Sequence, residues 1–211
     1  METFVVRVWV PDRPGALGQV ASRIGSVGGD VVGIDILERG AGKAIDELVV
    51  TLPEASLVPL LVNEIAQVDD AVVEEIHHLE GSMHEPGTAA LEVVAAALEA
   101  PPIERIPRVC GLLAELYTAD WVCAVQTEQR TAVVTVGVGT PEAAWLLAFV
   151  EGSRHLPPES QLVSARTDLV WAELEGHQLV IAVGRERPAL RARERRQLAL
   201  IARVLDSAAS G

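Results

Sequence analysis

Between Phe4 and Val27 the apolar residues of this chain change period, and the change happens across only five residues. Phe4, Val6, Val8 and Val10 alternate with Val5, Arg7 and Trp9, the spacing of a β-strand. Pro11-Asp12-Arg13-Pro14-Gly15 breaks that alternation. Leu17, Val20, Ala21, Ile24 and Val27 follow at helical spacing. A strand that runs through a glycine-containing turn into a helix start points several backbone N–H groups at one spot. The helix dipole adds partial positive charge there, so the turn can hold a small anion such as a carboxylate. The same residues also suffice for a plain tight corner shaped by Pro14 and Gly15.

The next sixty residues limit the fold further. Val31 to Glu38 reads as a second strand, Arg39-Gly40-Ala41-Gly42-Lys43 as a glycine-rich hairpin connection, and Ile45 to Leu52 as a third strand. Ser56 is expected to cap a helix that carries Leu57, Leu61, Ile65 and Val68, with Pro59 tolerated in its first turn. Ala71 to Leu79 makes a fourth strand. The order βαββαβ is the split-βαβ, ferredoxin-like plan. With the strand ending in Pro11-Asp12-Arg13-Pro14-Gly15-Ala16-Leu17, the Gly28-Gly29-Asp30 turn into strand two and the glycine-rich hairpin, residues 3–80 resemble an ACT domain.

The resemblance implies a site. In ACT domains that act as regulators, the strand-one turn often binds the main-chain groups of an amino acid, and the second strand of a partner subunit completes the site. Carried onto this chain, Asp12 would face the ligand's ammonium group and the N–H groups of Arg13, Gly15, Ala16 and Leu17 would face its carboxylate, with Pro14, which has no N–H, part of the same ligand-binding turn. Asp30, with Val31 beside it, stands where many such domains place an Asn that reaches the ligand across the dimer. An acid there favours a second ammonium or caps the turn. Arg13 either counters the ligand carboxylate or pairs with Asp12.

Composition sets outer bounds. At 211 residues, 49% of them hydrophobic, the chain has enough apolar material for two small cores. No apolar run reaches the length of a membrane span, and Glu2 and Arg7 interrupt the N-terminus, so no signal-peptide pattern is expected. Cys110 and Cys123 have neither a framework nor a CxxC spacing, which fits a reducing cytoplasm. The formal charge is −13, of which −10 falls in residues 1–86. Such acidity repels a phosphate backbone and argues against nucleic-acid binding.

Gly81-Ser82-Met83-His84-Glu85-Pro86-Gly87 is the first clear break. An Ala-rich helix from Thr88 to Ala100 follows, with Thr88 as its N-cap, and Pro101-Pro102 stops it. A second helix begins near Ile103 and carries Ile106, Val109, Leu112, Leu113 and Leu116. Trp121 to Gln126 and Arg130 to Val138 read as a hairpin around Glu128-Gln129. Thr140 and Pro141 are expected as N-cap and first residue of a helix through Trp145 and Phe149. After a loop holding Pro157-Pro158, strands Asp168 to Glu173 and His177 to Val183 form a second hairpin, and a helix from Ala189 to Ser207 closes the chain. With its closing strand Gln178 to Gly184 and then Glu194, Leu198, Ile201 and Ala202, this helix–hairpin–helix–hairpin–helix series is similar to a small GAF domain. It is short for that family, which implies minimal loops over any ligand and favours dimerisation or partner docking.

Other motifs give little chemistry. His77 and His78 point to opposite faces of one strand, so they cannot share a metal. Gly40-Ala41-Gly42-Lys43 lacks the earlier Gly and the Ser or Thr of a phosphate loop, and Gly137-Val138-Gly139 lacks the third Gly of a dinucleotide turn. No nucleophile elbow or activated thiolate appears. Arg185, Arg187, Arg191, Arg193, Arg195 and Arg196 read as a solvated helix face or as a docking surface for an acidic partner.

The expectation is therefore an α+β chain: an ACT domain over 1–80, a linker with an Ala-rich helix over 81–102, and a reduced GAF-like domain over 103–211. It is expected to be a cytoplasmic homodimer, not an enzyme, with no cofactor and no metal. It would bind a small amino acid at an ACT–ACT interface and transmit occupancy to a protein partner or to its C-terminal domain, without nucleic acid or membrane as partner. The alternatives are a ligand-free assembly module and an orphan regulatory subunit of an amino-acid biosynthetic enzyme.

Overall fold

The computed structural model describes residues 1–79, 86–154 and 169–208. The chain divides into two compact units, Met1–Met83 and His84–Gly211. Both are α+β, each built on a four-stranded antiparallel sheet.

In the first unit the elements run β1 (Glu2–Pro11), α1 (Ala16–Ser26), β2 (Asp30–Gly40), β3 (Lys43–Leu52), α2 (Val58–Ile65) and β4 (Val72–His78). The sheet order β2-β3-β1-β4 is that of the ferredoxin-like plan. Strand parity decides the faces. Phe4, Val6, Val8 and Val10 pair with Val50, Leu48, Asp46 and Ala44 and point to the face covered by the helices. There they meet Val20 and Ile24 of α1 and Leu61 and Ile65 of α2, all fully buried. Burying each such side chain stabilises the unit by about 1.5–3 kcal/mol relative to exposure. The two helices are also joined by Arg23, which donates to Glu64 at 3.1 Å and Gln67 at 2.7 Å.

Across the opposite face runs one charged rung, Asp35–Glu47–Arg7–Glu75, one residue from each strand. Arg7, only 5% exposed, donates to Glu47 through Nε at 3.2 Å and Nη2 at 2.7 Å.

Helix α1 ends in a Schellman motif. Gly28 takes φ +77°, its N–H reaches the Gly25 carbonyl at 3.0 Å, and the Gly29 N–H reaches the Ile24 carbonyl at 3.1 Å. A Cβ on Gly29 would stand 3.0 Å from both Ile24 and Leu52, so this Gly-Gly pair is needed for close packing as well as for the turn. Ser56 does not cap α2. It lies inside a 3-10 turn, Ala55–Leu57, that leads directly into the helix, and Leu57 is the N-cap.

The second unit comprises α3 (Pro86–Glu99), α4 (Pro102–Leu116), β5 (Trp121–Gln126), β6 (Thr131–Gly137), α5 (Ala143–Ser153), β7 (Leu169–Leu174), β8 (Leu179–Gly184) and α6 (Ala192–Ser207). Two hairpins join through their inner strands in the order β6-β5-β8-β7. β5 and β8 are buried on both faces, which is why they read as unbroken apolar runs. One face packs on α3, α4 and α6 through Val109, Leu113, Leu198 and Ile201; the other packs on α5 through Leu146 and Val150. The Ala-rich helix, expected within a connecting segment, buries Val93 and Ala97 in this core.

Helix starts differ from the sequence expectations. Thr88 lies within α3, and the N-cap of α5 is Glu142 rather than Thr140. α6 starts at Ala192, three residues late, because Arg191 takes the extended N-cap conformation and its N–H donates to the Glu194 carboxylate at 2.6 Å. Arg130 belongs to the β5–β6 turn at φ +55°, not to a strand. Residues 81–85 of the expected Gly81–Gly87 break and the Pro157-Pro158 loop lie outside the described residues.

Candidate functional site

The turn between β1 and α1 is held from two sides. The Asp12 N–H donates to the Gly42 carbonyl at 2.9 Å, so the tip of the β2–β3 hairpin supports it. That tip is a two-residue loop with Ala41 at φ +52° and Gly42 at φ +76°, the type I′ geometry that matches strand twist. The glycine-rich stretch is therefore a hairpin device, not a phosphate loop. Inside the turn, the Arg13 N–H donates to the Pro11 carbonyl at 2.8 Å and the Ala16 N–H to the Arg13 carbonyl at 3.2 Å. Gly15 is the N-cap of α1 at φ +86°, with no side-chain cap.

These bonds amend the expected anion cradle. The N–H groups of Arg13 and Ala16 are spent inside the turn. None of the turn's bonds uses the N–H of Gly15, Leu17 or Gly18, so those three are the donors at the positive end of α1. A Cβ on Gly15 would meet nothing within 4 Å, and Asp12, Arg13 and Pro14 are all exposed. Arg13 turns to Gln19, with Nη2 3.4 Å from Oε1, so the side chain follows the helix.

Asp30 and Val31 sit elsewhere in the same chain. Asp30 pairs with Thr51, and Thr51 with Thr3, whereas the turn follows the Pro11–Lys43 pair. Eight strand positions separate them, about 27 Å at ~3.4 Å per residue. Asp30 is exposed and Val31 packs against the helix-side core. A single copy does not bring these two residues to the turn.

The residue that sequence reading passed over is Asp46. It occupies a core-parity position in β3, between Ala44 and Leu48, paired with Val8 on one side and Ile36 on the other. Only 3% exposed, its Oδ1 has no hydrogen-bond partner. Burial raises its pKa above the ordinary carboxylate range; Arg39 opposes that shift and Asp12 adds to it. Asp46 thus shares an electrostatic neighbourhood with the turn. Its parity was the available signal, because an acid among Ala44, Leu48, Val50 and Leu52 breaks the apolar alternation.

Other candidates resolve differently. His77 and His78 are exposed; His78 lies 3.5 Å from Glu2 and edge-on to Phe4, and no group of three metal-ligating side chains forms among the described residues. Within the arginine cluster, Arg185 is buried rather than solvated, and only Arg187 and Arg196 are exposed. The two cysteines are buried and unpaired with each other.

No family model matches the chain, and no curated protein matches it. Among solved structures it is similar to the ACT domain of a GTP pyrophosphokinase from Chlorobium tepidum, at 15% identity and a TM-score of 0.29, over 37% of this chain and 97% of that one. An unknown protein from Galdieria sulphuraria gives 15% identity and a TM-score of 0.33, over 46% of this chain and 62% of that one. A formyltetrahydrofolate deformylase from Pseudomonas putida gives 15% and 0.30, over 51% of this chain and 39% of that one. These likenesses assign no ligand and no activity to this chain.

Proposed function

We propose that the chain is a non-catalytic regulatory protein of the cytoplasm. Its N-terminal, ACT-like unit binds a small amino acid where two copies meet, and occupancy passes to a protein partner or to its GAF-like C-terminal unit. The observation that carries this reading is the turn itself. Three backbone donors at the positive end of α1 lie outside the turn's own hydrogen bonds, beside the exposed carboxylate of Asp12. That pair of opposite fields suits a zwitterion. No helix among the described residues is long and apolar enough to cross a membrane.

A dimer gives Asp30 and Val31 their place. β2 is an edge strand whose Val32, Ile34 and Ile36 are 42%, 53% and 40% exposed. An apolar edge of this kind invites pairing with a second copy. Antiparallel pairing of two β2 edges brings the start of one strand to the hairpin end of the other, beside its turn. Ligand spanning both copies would then shift the population of dimer arrangements by its difference in affinity for them.

Thermal shift across the twenty amino acids, followed by calorimetric titration, tests the reading. A ligand at a hundred times its dissociation constant stabilises the native state by about 2.7 kcal/mol. One clear hit, weakened in Asp12→Ala, supports it. A dimer silent to the whole panel favours the ligand-free assembly module, which rests on the same exposed β2 edge. Monomer alone at micromolar concentration overturns the interface.

A further inference from the structure

The amino-acid reading sets Asp12 beside the turn's donors but does not require it as the sole acid, since Asp46 acts in the same neighbourhood, and it leaves open what kind of side chain the site takes. We propose that Asp46, rather than Asp12, receives the ammonium group, and that the ligand is an α-amino acid whose apolar side chain lies on Ile34 and Ile36. This inference rests on the reading above and deepens it.

Three observations carry it. Asp46 is 97% buried by its 3% exposure, yet its Oδ1 has no hydrogen-bond partner, and an orphaned buried carboxylate oxygen calls for an absent cation or donor. Strand register puts Asp46 on the helix-covered face with Val8 and Val10, the two residues that lead into the turn. On that same face its β2 neighbours are Ile36, paired with it, and Ile34, paired with Leu48, both exposed and apolar. The proposed pose puts the ammonium at Asp46 and the carboxylate at the Gly15, Leu17 and Gly18 amides. The β2 flank then offers hydrocarbon and not charge to the side chain. Asp12, exposed and already adjacent to water, gains less from pairing with a cation than a desolvated acid does.

The charged groups acting on Asp46 are Arg39, from β2, and Asp12, from the turn; its β1 neighbour is Val8, and the first turn of α1 holds no acid. An ammonium placed there favours the ionised carboxylate, so ligand binding in mildly acidic buffer releases a proton from the wild-type protein.

The test titrates the full chain with L-leucine, L-isoleucine, L-valine, glycine and L-aspartate. The three apolar amino acids should bind at least about tenfold more tightly than glycine or L-aspartate. Asp46→Asn should weaken L-leucine binding roughly 10- to 100-fold, the worth of a hydrogen bond to a charged group, while the ligand-free variant melts no lower than wild type. Asp12→Asn should weaken it less. If Asp46→Asn binds L-leucine as wild type does, the inference falls and the amino-acid reading stands. If none of the twenty amino acids binds, both fall. Titration of wild type in two buffers of different ionisation enthalpy needs no variant, and absence of proton release at mildly acidic pH also overturns the role of Asp46.

Discussion

The Arg185 guanidinium and the Glu194 carboxylate meet at 2.7 Å with side-chain exposures of only 5% and 11%. Both groups make further hydrogen bonds. Arg185 also donates to the carbonyls of Tyr117 and Pro188, both at 2.6 Å, and Glu194 accepts the Arg191 N–H at 2.6 Å, which starts α6. The pair therefore ties the end of α4, the segment after β8 and the start of α6 into one network. Burial, and then the Glu194 charge, also push the Tyr117 phenol well above its ordinary range, so it stays a neutral donor to the Glu194 carbonyl.

Removing one member leaves the other charged and buried. Arg185→Ala should cost the second unit about 3–5 kcal/mol. Urea denaturation followed by the fluorescence of Trp121, Trp145 and Trp171 checks this. A loss below about 1 kcal/mol, the range of a surface pair, would contradict a closed network.

Two glycines should respond with opposite sign. A Cβ on Gly184 would overlap the indole ring of Trp121, which packs directly on the β8 backbone. Gly184→Ala should destabilise the second unit by about 1–3 kcal/mol or more, as overpacking does. In the interior of α4, by contrast, a Cβ on Gly111 would meet nothing within 4 Å. Gly111→Ala should stabilise by about 0.5–1 kcal/mol, because it removes unfolded-state freedom from a helical position. Thermal melts of the two variants beside wild type give the comparison.

The thiols should be silent in the folded protein. Burial, with the neighbouring Cys123 second, pushes the Cys110 thiol up to about 12, and burial pushes Cys123 up to about 11. At pH 8 neither has appreciable thiolate and neither is accessible. Iodoacetamide should label neither in native buffer and both in denaturant. Rapid native labelling of Cys110 would mean that α4 separates from the sheet far more readily than its packing implies.

The order of strands and helices was legible because the periods are clean. β1 keeps Phe4, Val6, Val8 and Val10 at one parity, α1 places Val20 and Ile24 one turn apart, and β5 and β8 are apolar nearly throughout. Caps were less legible. Ser56, Thr88 and Thr140 have the right side chains, but Leu57 and Glu142 take the cap positions of α2 and α5, and Thr88 lies inside α3. Local cap preference is worth about 1 kcal/mol, less than the burial that sets where a helix meets its sheet. The turn at Asp12–Gly15 was readable as a corner. Which of its N–H groups stay free was not, since that depends on the Pro11 and Arg13 carbonyls folding back on it. Arg185 shows the same limit: six arginines in a row of twelve residues look alike until Glu194 singles one out for burial.

Asp46 makes a prediction in pH. Its pKa is raised in the fold from an ordinary 3.8, chiefly by burial. The native state therefore holds a proton that the unfolded chain has already lost. Below the unfolded pKa both states are protonated and the group contributes nothing. As pH rises through the interval up to the folded pKa, the native state must either keep the proton against the solution or bury a charge, and stability falls. Asp46→Asn removes that dependence while preserving the shape of the side chain. Ligand-free Asp46→Asn should be at least as stable as wild type at pH 7 and should show a flatter stability profile across the mildly acidic range. Urea denaturation from pH 4 to pH 7, read on both proteins, decides it. A variant that is less stable than wild type at every pH would show that the Asp46 carboxylate is already satisfied in the free protein, and would remove the reason for a cation to bind there.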